Sequence, residues 1–301
     1  MKRLATTALF VALLFGGAKT ARGDGFVYSG GVFTPISVPG SSETDVNGIN
    51  NSGQVVGVFA VGPSAYGFID TNGAFTPISV PGSYLTDAIG INNNGQVVGT
   101  YGVTNGQSSM SYAFLDTGGV FTPISVPGSL LTLPLGINDS GQVVGLYQAS
   151  TGELSSFLET NGVFTTISVP GSSNTYVYGI NNSGQIVGYY TDDTGAAYGF
   201  IDTDGVFTTI GVPGSYQTYA TGINNSGQVV GFVGHDAFVY ADGVFTTIEN
   251  PFSEDSYISP VGINDSGQIA MAYSAPEPSG FALLLFGMIP LGIVVYRKRE
   301  P

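Results

Sequence analysis

The stretch "GINNSGQVVG", Gly222 to Gly231, recurs along the chain in close copies that begin at Gly48, Gly90, Gly136, Gly179 and Gly262. A second phrase of the type "VFTPISVPGS" accompanies it and places a phenylalanine at positions 33, 75, 121, 164, 207 and 245. The spacing of these phenylalanines stays close to 43 residues (roughly) throughout, and a fixed period of that size is the signature of a repeat architecture. Each unit divides into four short strands. Strand a is "YGFID"-like, as at Tyr66 to Asp70, Tyr112 to Asp116 and Tyr198 to Asp202. Strand b is "VFTPISV", strand c runs into "GIN", and strand d is "GQVVG" with the residues after it.

The turns fit this division. Strands a and b are joined by "DTNG", "DTGG", "ETNG" or "DTDG", and strands c and d by "NNSG", "NNNG" or "NDSG". Both put an acidic or Asx-type residue first and glycine fourth, which predicts a type I turn closed by a glycine at positive φ. The repeated phrase is therefore a β-hairpin, and its Asn and Gly serve backbone geometry. The Asn-x-Ser tripeptides at Asn50, Asn138, Asn181, Asn224 and Asn264 fall in that turn, which accounts for them without glycosylation.

Four antiparallel strands in about 43 residues make one propeller blade. Residues 24 to 274 hold six such units, so the expectation is an all-β, six-bladed β-propeller. An open solenoid is the alternative; it needs distinct end caps, and the repeats show none. Pro35, Pro77 and Pro123 fall inside strand b, and proline cannot donate to a ladder, so strand b belongs at the blade edge. Strand c, with its glycine, belongs at the axis. The first strands a and b must then complete the blade begun by the last c and d, which closes the ring.

The two ends of the chain differ from the middle. All seven basic residues lie there: Lys2, Arg3, Lys19 and Arg22 at the start, and Arg297, Lys298 and Arg299 at the end. Residues 1 to 23 read as a secretory signal peptide, with an apolar run Leu4 to Phe15 and cleavage between Gly23 and Asp24. Cleavage after Ala18 and an uncleaved anchor are the alternatives. Residues 280 to 296 carry no charge and reach the lower length of a transmembrane helix, with the basic cluster on the cytoplasmic side.

Pro276, Glu277 and Pro278, the apolar span and the basic cluster stand in that order at the extreme end, over residues 275 to 301. This tail resembles the PEP-CTERM sorting signal of exported bacterial proteins, which is also filed under an ice-binding protein C-terminal name. The resemblance implies an exosortase as partner, and a Gram-negative-type envelope with exopolysaccharide or biofilm. It implies nothing about ice. An ordinary membrane anchor is the other reading. The middle resembles the bacterial extracellular HAF repeat, through "GIN" with "GQVVG" and through "HDAFVY" at His235, although most units here have Tyr in place of that His. This second resemblance implies export and no particular activity.

Composition excludes several functions. With no Lys or Arg between residues 23 and 296, the domain cannot neutralise phosphates, so nucleic-acid binding is excluded. Sialidase-like chemistry lacks its arginines. No Cys and a single His leave no zinc set. "DTDG" at Asp202 lacks the remaining ligands of a calcium loop. His235 has no triad geometry in sequence, and no carboxylate pair stands out for glycoside hydrolysis. The expectation is a non-enzymatic propeller without metal or cofactor, acting in adhesion or assembly at the cell envelope or in the extracellular matrix. The alternative is a lectin-like module that uses the variable loops between strands d and a. There Tyr84 and Tyr216 could stack on a sugar, and Glu153, Asp192 and Asp193 could hydrogen-bond it.

Overall fold

The computed structural model describes residues 25–104, 109–252 and 256–274. Gly23, Asp24, Pro276, Glu277, Pro278, the apolar span 280–296, Arg297, Lys298 and Arg299 lie outside the described residues. Among the described residues every regular element is a strand, and no helix is long and apolar enough to cross a membrane.

The chain forms a β-propeller. One sheet joins β1 (Gly25–Ser29) and β2 (Val32–Ile36) to β23 (Tyr257–Ile263) and β24 (Ile269–Ser274), in the order β2-β1-β24-β23. Three further four-stranded sheets run in chain order. They comprise β11 (Ser129–Ile137), β12 (Val143–Ala149), β13 (Leu154–Thr160) and β14 (Val163–Ile167); β15 (Asn174–Ile180), β16 (Ile186–Thr191), β17 (Ala197–Thr203) and β18 (Val206–Ile210); and β19 (Tyr219–Ile223), β20 (Val229–Val233), β21 (Asp236–Ala241) and β22 (Val244–Ile248). The fifth sheet has eight strands. It comprises β3 (Glu43–Ile49), β4 (Val55–Val61), β5 (Ser64–Thr71) and β6 (Ala74–Ile78), and then β7 (Leu85–Ile91), β8 (Val97–Thr104), β9 (Ser109–Thr117) and β10 (Val120–Ile124). Its two halves meet through a single parallel pair, Ala65 with Leu85.

The expected order c-d-a-b holds, with strand b at an edge of each sheet. Ring closure holds as well: Phe26, Val27 and Tyr28 of β1 pair with Met271, Ala270 and Ile269 of β24.

The repeated phrase explains the axis. A Cβ on Gly48 would lie 2.9 Å from the Ile89 carbonyl and 3.7 Å from Gly90 Cα. The same approach links Gly90 to Gly136, Gly136 to Gly179, Gly179 to Gly222, Gly222 to Gly262, and Gly262 back to Gly48. At Gly48, Gly90, Gly136, Gly179 and Gly222 a Cβ would be crowded to 3.2 Å or less, so glycine is what lets these backbones come near, whereas at Gly262 the nearest atom would be an ordinary 3.4 Å away. Two residues on, each asparagine donates its amide to the backbone carbonyl of the next. Asn50 Nδ2 reaches Asn92 O at 3.1 Å, the same bond passes through Asn138, Asn181 and Asn224, and Asn264 Nδ2 returns to Asn50 O at 3.0 Å. These asparagines are buried. Each also accepts two backbone N–H groups of its own turn through Oδ1 and donates to a glutamine: Asn181, for example, bonds Ser183 N, Gln185 N and Gln185 Oε1. Every polar atom of the side chain is thus satisfied.

Between blades the core is apolar. Phe68, Phe114, Phe157 and Phe200 of strands β5, β9, β13 and β17 are fully buried. Each meets a strand b phenylalanine edge-on, as Phe114 meets Phe121 at 5.3 Å and 80°.

One turn differs from expectation. The c–d turns are type I-like, closed by a Gly N–H to Asn O bond such as Gly53 to Asn50 at 3.0 Å, with Gly53 at φ 75°. The a–b turns instead have two successive residues at positive φ, such as Asn72 at 54° and Gly73 at 87°. That is the two-residue type I′ hairpin, whose twist matches the flanking strands. The leading acid still serves the turn, since Asp70 Oδ1 accepts from Gly73 N at 2.7 Å, and Asp116 and Asp202 do likewise.

Replacing Asn181 by Ala removes its bond to the Asn224 carbonyl, which keeps only the Gly227 N–H, and leaves Ser183 N and Gln185 N without their acceptor. It should cost about 2–4 kcal/mol and lower Tm by roughly 5–15 °C, whereas Ser183→Ala in the same turn should be near neutral. Thermal denaturation of both variants checks this.

Candidate functional site

The propeller has two faces. The face bearing the c–d turns is closed by a second ring of hydrogen bonds, from backbone N–H to the side-chain Oδ1 of the next unit. It runs from Asn51 through Asn93, Asp139, Asn182, Asn225 and Asp265 back to Asn51. Asp139 Oδ2 also accepts the amides of Asn93 and Asn182, and Asp265 Oδ2 those of Asn225 and Asn51. Burial pushes the Asp139 carboxyl up, but these amide bonds outweigh it and hold the group below its usual value. The polar atoms here are occupied with one another, which leaves little for a ligand.

The opposite face carries the d–a loops and the "VPGS" connections. Each connection is locked by a strand c threonine that the sequence did not single out: Val38 N donates to Thr44 Oγ1, and Val80, Val126, Val169 and Val212 do the same to Thr86, Thr132, Thr175 and Thr218. On this face Tyr84 lies across Gly102, its ring 2.9 Å from where a Cβ would stand, and is half-buried. Tyr216 is 81% exposed. Glu153 and Asp193 are exposed. The Asp192 carboxylate is committed to its own turn, accepting from Thr194 Oγ1 at 2.6 Å and from the backbone N–H groups of Thr194 and Ala196. These bonds, the Thr194 side chain first, hold its pKa below the ordinary value.

The loop candidates do not form one cluster. Tyr84 precedes β7 and Tyr216 precedes β19, strands that stand three steps apart in the ring of asparagine bonds and so on opposite sides of the axis. Tyr216 O accepts from Ala197 N at 3.0 Å, which places it beside the 192–196 turn. The exposed Tyr216 and Asp193 therefore lie near one junction. His235 stacks on Tyr257 at 4.2 Å with Nδ1 at 3.1 Å from Ser256 O.

Along the axis itself, the repeat breaks. The residue three before each "GIN" glycine is Asp45, Asp87, Leu133, Tyr176, Tyr219 or Ser259. Asn47 Nδ2 donates to Asp87 Oδ1 at 2.7 Å and to Ala88 O at 2.9 Å. Burial, and then the Glu43 charge, push the Asp45 carboxyl up to about 7. Burial, and then the Asp45 charge, do the same to Asp87 against the pull of the Asn47 bond. Further round, Tyr176 and Tyr178 stack on Tyr189 at 4.8 and 5.9 Å, and Tyr219 meets Tyr189 edge-on at 4.8 Å. Burial raises the Tyr178 hydroxyl to about 12. Sequence reading passed over these residues because it weighed what the repeats share. A column holding Asp, Asp, Leu, Tyr, Tyr and Ser next to an unvarying Gly was the available signal.

No family model matches the chain, and no curated protein matches it. Solved structures do. A TolB-like protein from Agrobacterium tumefaciens is 14% identical, with 85% of this chain and 99% of that one covered, at a TM-score of 0.60. TolB from Acinetobacter baumannii is 11% identical, over 90% of this chain and 68% of that one, at 0.52. Aleuria aurantia lectin in complex with alpha-methyl-L-fucoside is 12% identical, over 72% and 82%, at 0.42. The first two likenesses support the propeller fold alone; the third is too distant to bear on a ligand.

The raised carboxyls fix a pH dependence. In the unfolded chain Asp titrates near 3.9, while in the fold Asp45 and Asp87 hold their protons to about 7. The native state binds more protons between these values, so stability is full below the lower value and falls as pH rises towards 7. Tm should be several degrees lower at about pH 8 than at about pH 5. Asp87→Asn, which keeps the Asn47 acceptor, should raise Tm at the higher pH and flatten the curve; differential scanning calorimetry across pH reads both.

Proposed function

We propose that the chain is an exported, non-catalytic propeller of six blades that acts in adhesion or assembly at a bacterial cell envelope or in its matrix. The blade count takes the eight-stranded sheet as two four-stranded blades joined by the lone Ala65–Leu85 pair. The six-membered asparagine ring supports that count. The observation that carries the non-catalytic reading is how the repeated polar residues are used. The Asn and Gln side chains of the c–d turns bond their own turns or the next unit, and Asp70, Asp116 and Asp202 bond their own turns, and no cluster of three or more His, Cys, Asp or Glu among the described residues could hold a metal.

Export and anchoring rest on the tail and leader in the sequence. On this reading Pro276, Glu277 and Pro278 are read by an exosortase, and Arg297, Lys298 and Arg299 hold the end in the cytoplasm until processing. Exopolysaccharide, or another surface protein, is the partner outside. A glycan-binding role for the loop face is the second reading, favoured by the exposure of Tyr216 beside the Asp193 turn.

Intact mass spectrometry of protein from a host with and without exosortase tests the sorting. The expected result is a chain that starts near Asp24 and ends near the PEP motif only when the enzyme is present; a chain that keeps residues 280–301 in both hosts makes the tail a plain anchor. Saturable polysaccharide binding lost in Tyr216→Ala would favour the lectin reading, and retention of binding in that variant would count against it.

A further inference from the structure

The rim of the propeller has two kinds of edge. Strand b, the outer strand of each blade, carries Pro35, Pro77 or Pro123 in β2, β6 and β10. In β14, β18 and β22 the same place holds Thr166, Thr209 or Thr247. In a two-residue hairpin the residues flanking the turn exchange both backbone hydrogen bonds, and the pairs alternate from there. Thr160 and Val163 flank the Asn161–Gly162 turn, so Val163, Thr165 and Ile167 bond inward to β13. The N–H and C=O groups of Phe164 and Thr166 therefore point off the edge. The prolines sit at that same outward position, opposite Phe26, Phe68 and Phe114, where the blade needs no N–H. Proline there blunts an edge against pairing with another chain. β14, β18 and β22 keep the donor that proline removes.

Of these open edges, β14 is the one free of charge. No Asp or Glu occurs from residue 160 to residue 191. The acid just before, Glu159, accepts from Gly162 N within its own turn. By contrast, β18 follows a turn with exposed Asp204, and β22 lies between exposed Asp242 and Glu249. Val163 and Thr165 of β14 are exposed. Beside this strand lies an open cleft of about 390 Å³, lined by Phe164 and Thr166 together with Val126, Pro127 and Tyr147.

Charge and symmetry select the occupant. With a net charge of -14 and no Lys or Arg between residues 23 and 296, two copies repel wherever both present acid. An uncharged strand is where they can meet. Set antiparallel about a two-fold axis through Thr165, β14 is complementary to itself. The Phe164 N–H meets the Thr166 C=O of the second copy, the Thr166 N–H meets its Phe164 C=O, and the axis repeats both bonds. Val163 then lies beside Ile167 of the second copy, on one face of a continuous sheet. The same register at β2, β6 or β10 loses the proline donor from both chains. At β22 it sets Glu249 beside Asp242 of the other chain, and like charges there repel. We propose that β14 pairs antiparallel with β14 of a second copy, joining two propellers rim to rim. This contact goes beyond the function proposed above, and depends on neither export nor glycan binding.

The chain has no cysteine, so Thr165→Cys introduces a single thiol. Residues facing each other across that axis have Cα atoms about 4.5 Å apart, within reach of a disulfide. Mild oxidation of the full chain in detergent should therefore give a covalent dimer on a non-reducing gel. Thr208→Cys, at the matching place on β18, should give little. Light scattering of the unmodified chain in the same detergent reads the association without a cross-link. There Thr166→Pro should weaken the dimer at least about tenfold, and Thr209→Pro should leave it unchanged. Both proline variants have a precedent for folding in Pro35, Pro77 and Pro123, and circular dichroism checks it. A chain that stays monomeric up to about 0.1 mM would overturn the proposal and leave the edge to an extended segment of another protein. A dimer that survives Thr166→Pro, or equal cross-linking through Thr208→Cys, would overturn it by placing the contact elsewhere.

Discussion

The close approach of glycine to glycine around one axis is the contact on which the rest of this molecule depends. With a Cβ on Gly179 only 3.2 Å from Gly222 Cα, no other residue fits without moving a neighbouring strand. That approach brings each asparagine within reach of the next backbone carbonyl, and the resulting cycle has no free end. A closed cycle needs no capping repeat. The first and last strands of the described residues, β1 and β24, pair within one sheet.

This design rests on neutral groups. With no Lys or Arg between 23 and 296, ion pairs within that stretch cannot use either, and cohesion comes from buried aromatics and amide networks. Glutamines that link the c–d turn to the a–b turn, such as Gln54 to Thr71 and Gln142 to Thr160, extend the network outwards along each blade. Against that neutral background the two axial carboxylates stand out. They carry a cost in stability that a purely structural residue such as Leu133 at the same position does not, and such costs accumulate where a protein does something other than fold.

Much of the architecture was legible in the sequence because the turn residues repeat. Strand order followed from proline in Pro35, Pro77 and Pro123, and closure followed from the chain starting with strand a. The a–b turn type was not legible, because "DTNG" suits both a type I turn and the type I′ turn that Asn72 and Gly73 adopt. Of the loop residues, sequence gave position but not availability. Tyr84 and Tyr216 read alike in "PGSY", yet one covers Gly102 and the other is open to solvent. The axial carboxylates were passed over for a related reason: burial and electrostatic coupling between Asp45 and Asp87 arise only when strands 42 residues apart are brought side by side.

The central claim is that the ring is closed by the first strands of the chain. Hydrogen–deuterium exchange of the full chain, resolved to the peptide covering residues 25–36, tests it most directly. The account predicts protection of the β1 and β2 amides comparable to that of β5 and β6, since both pairs sit in the same position within a blade. Exchange of residues 25–36 at the rate of an unpaired chain terminus, with β5 and β6 still protected, would contradict it.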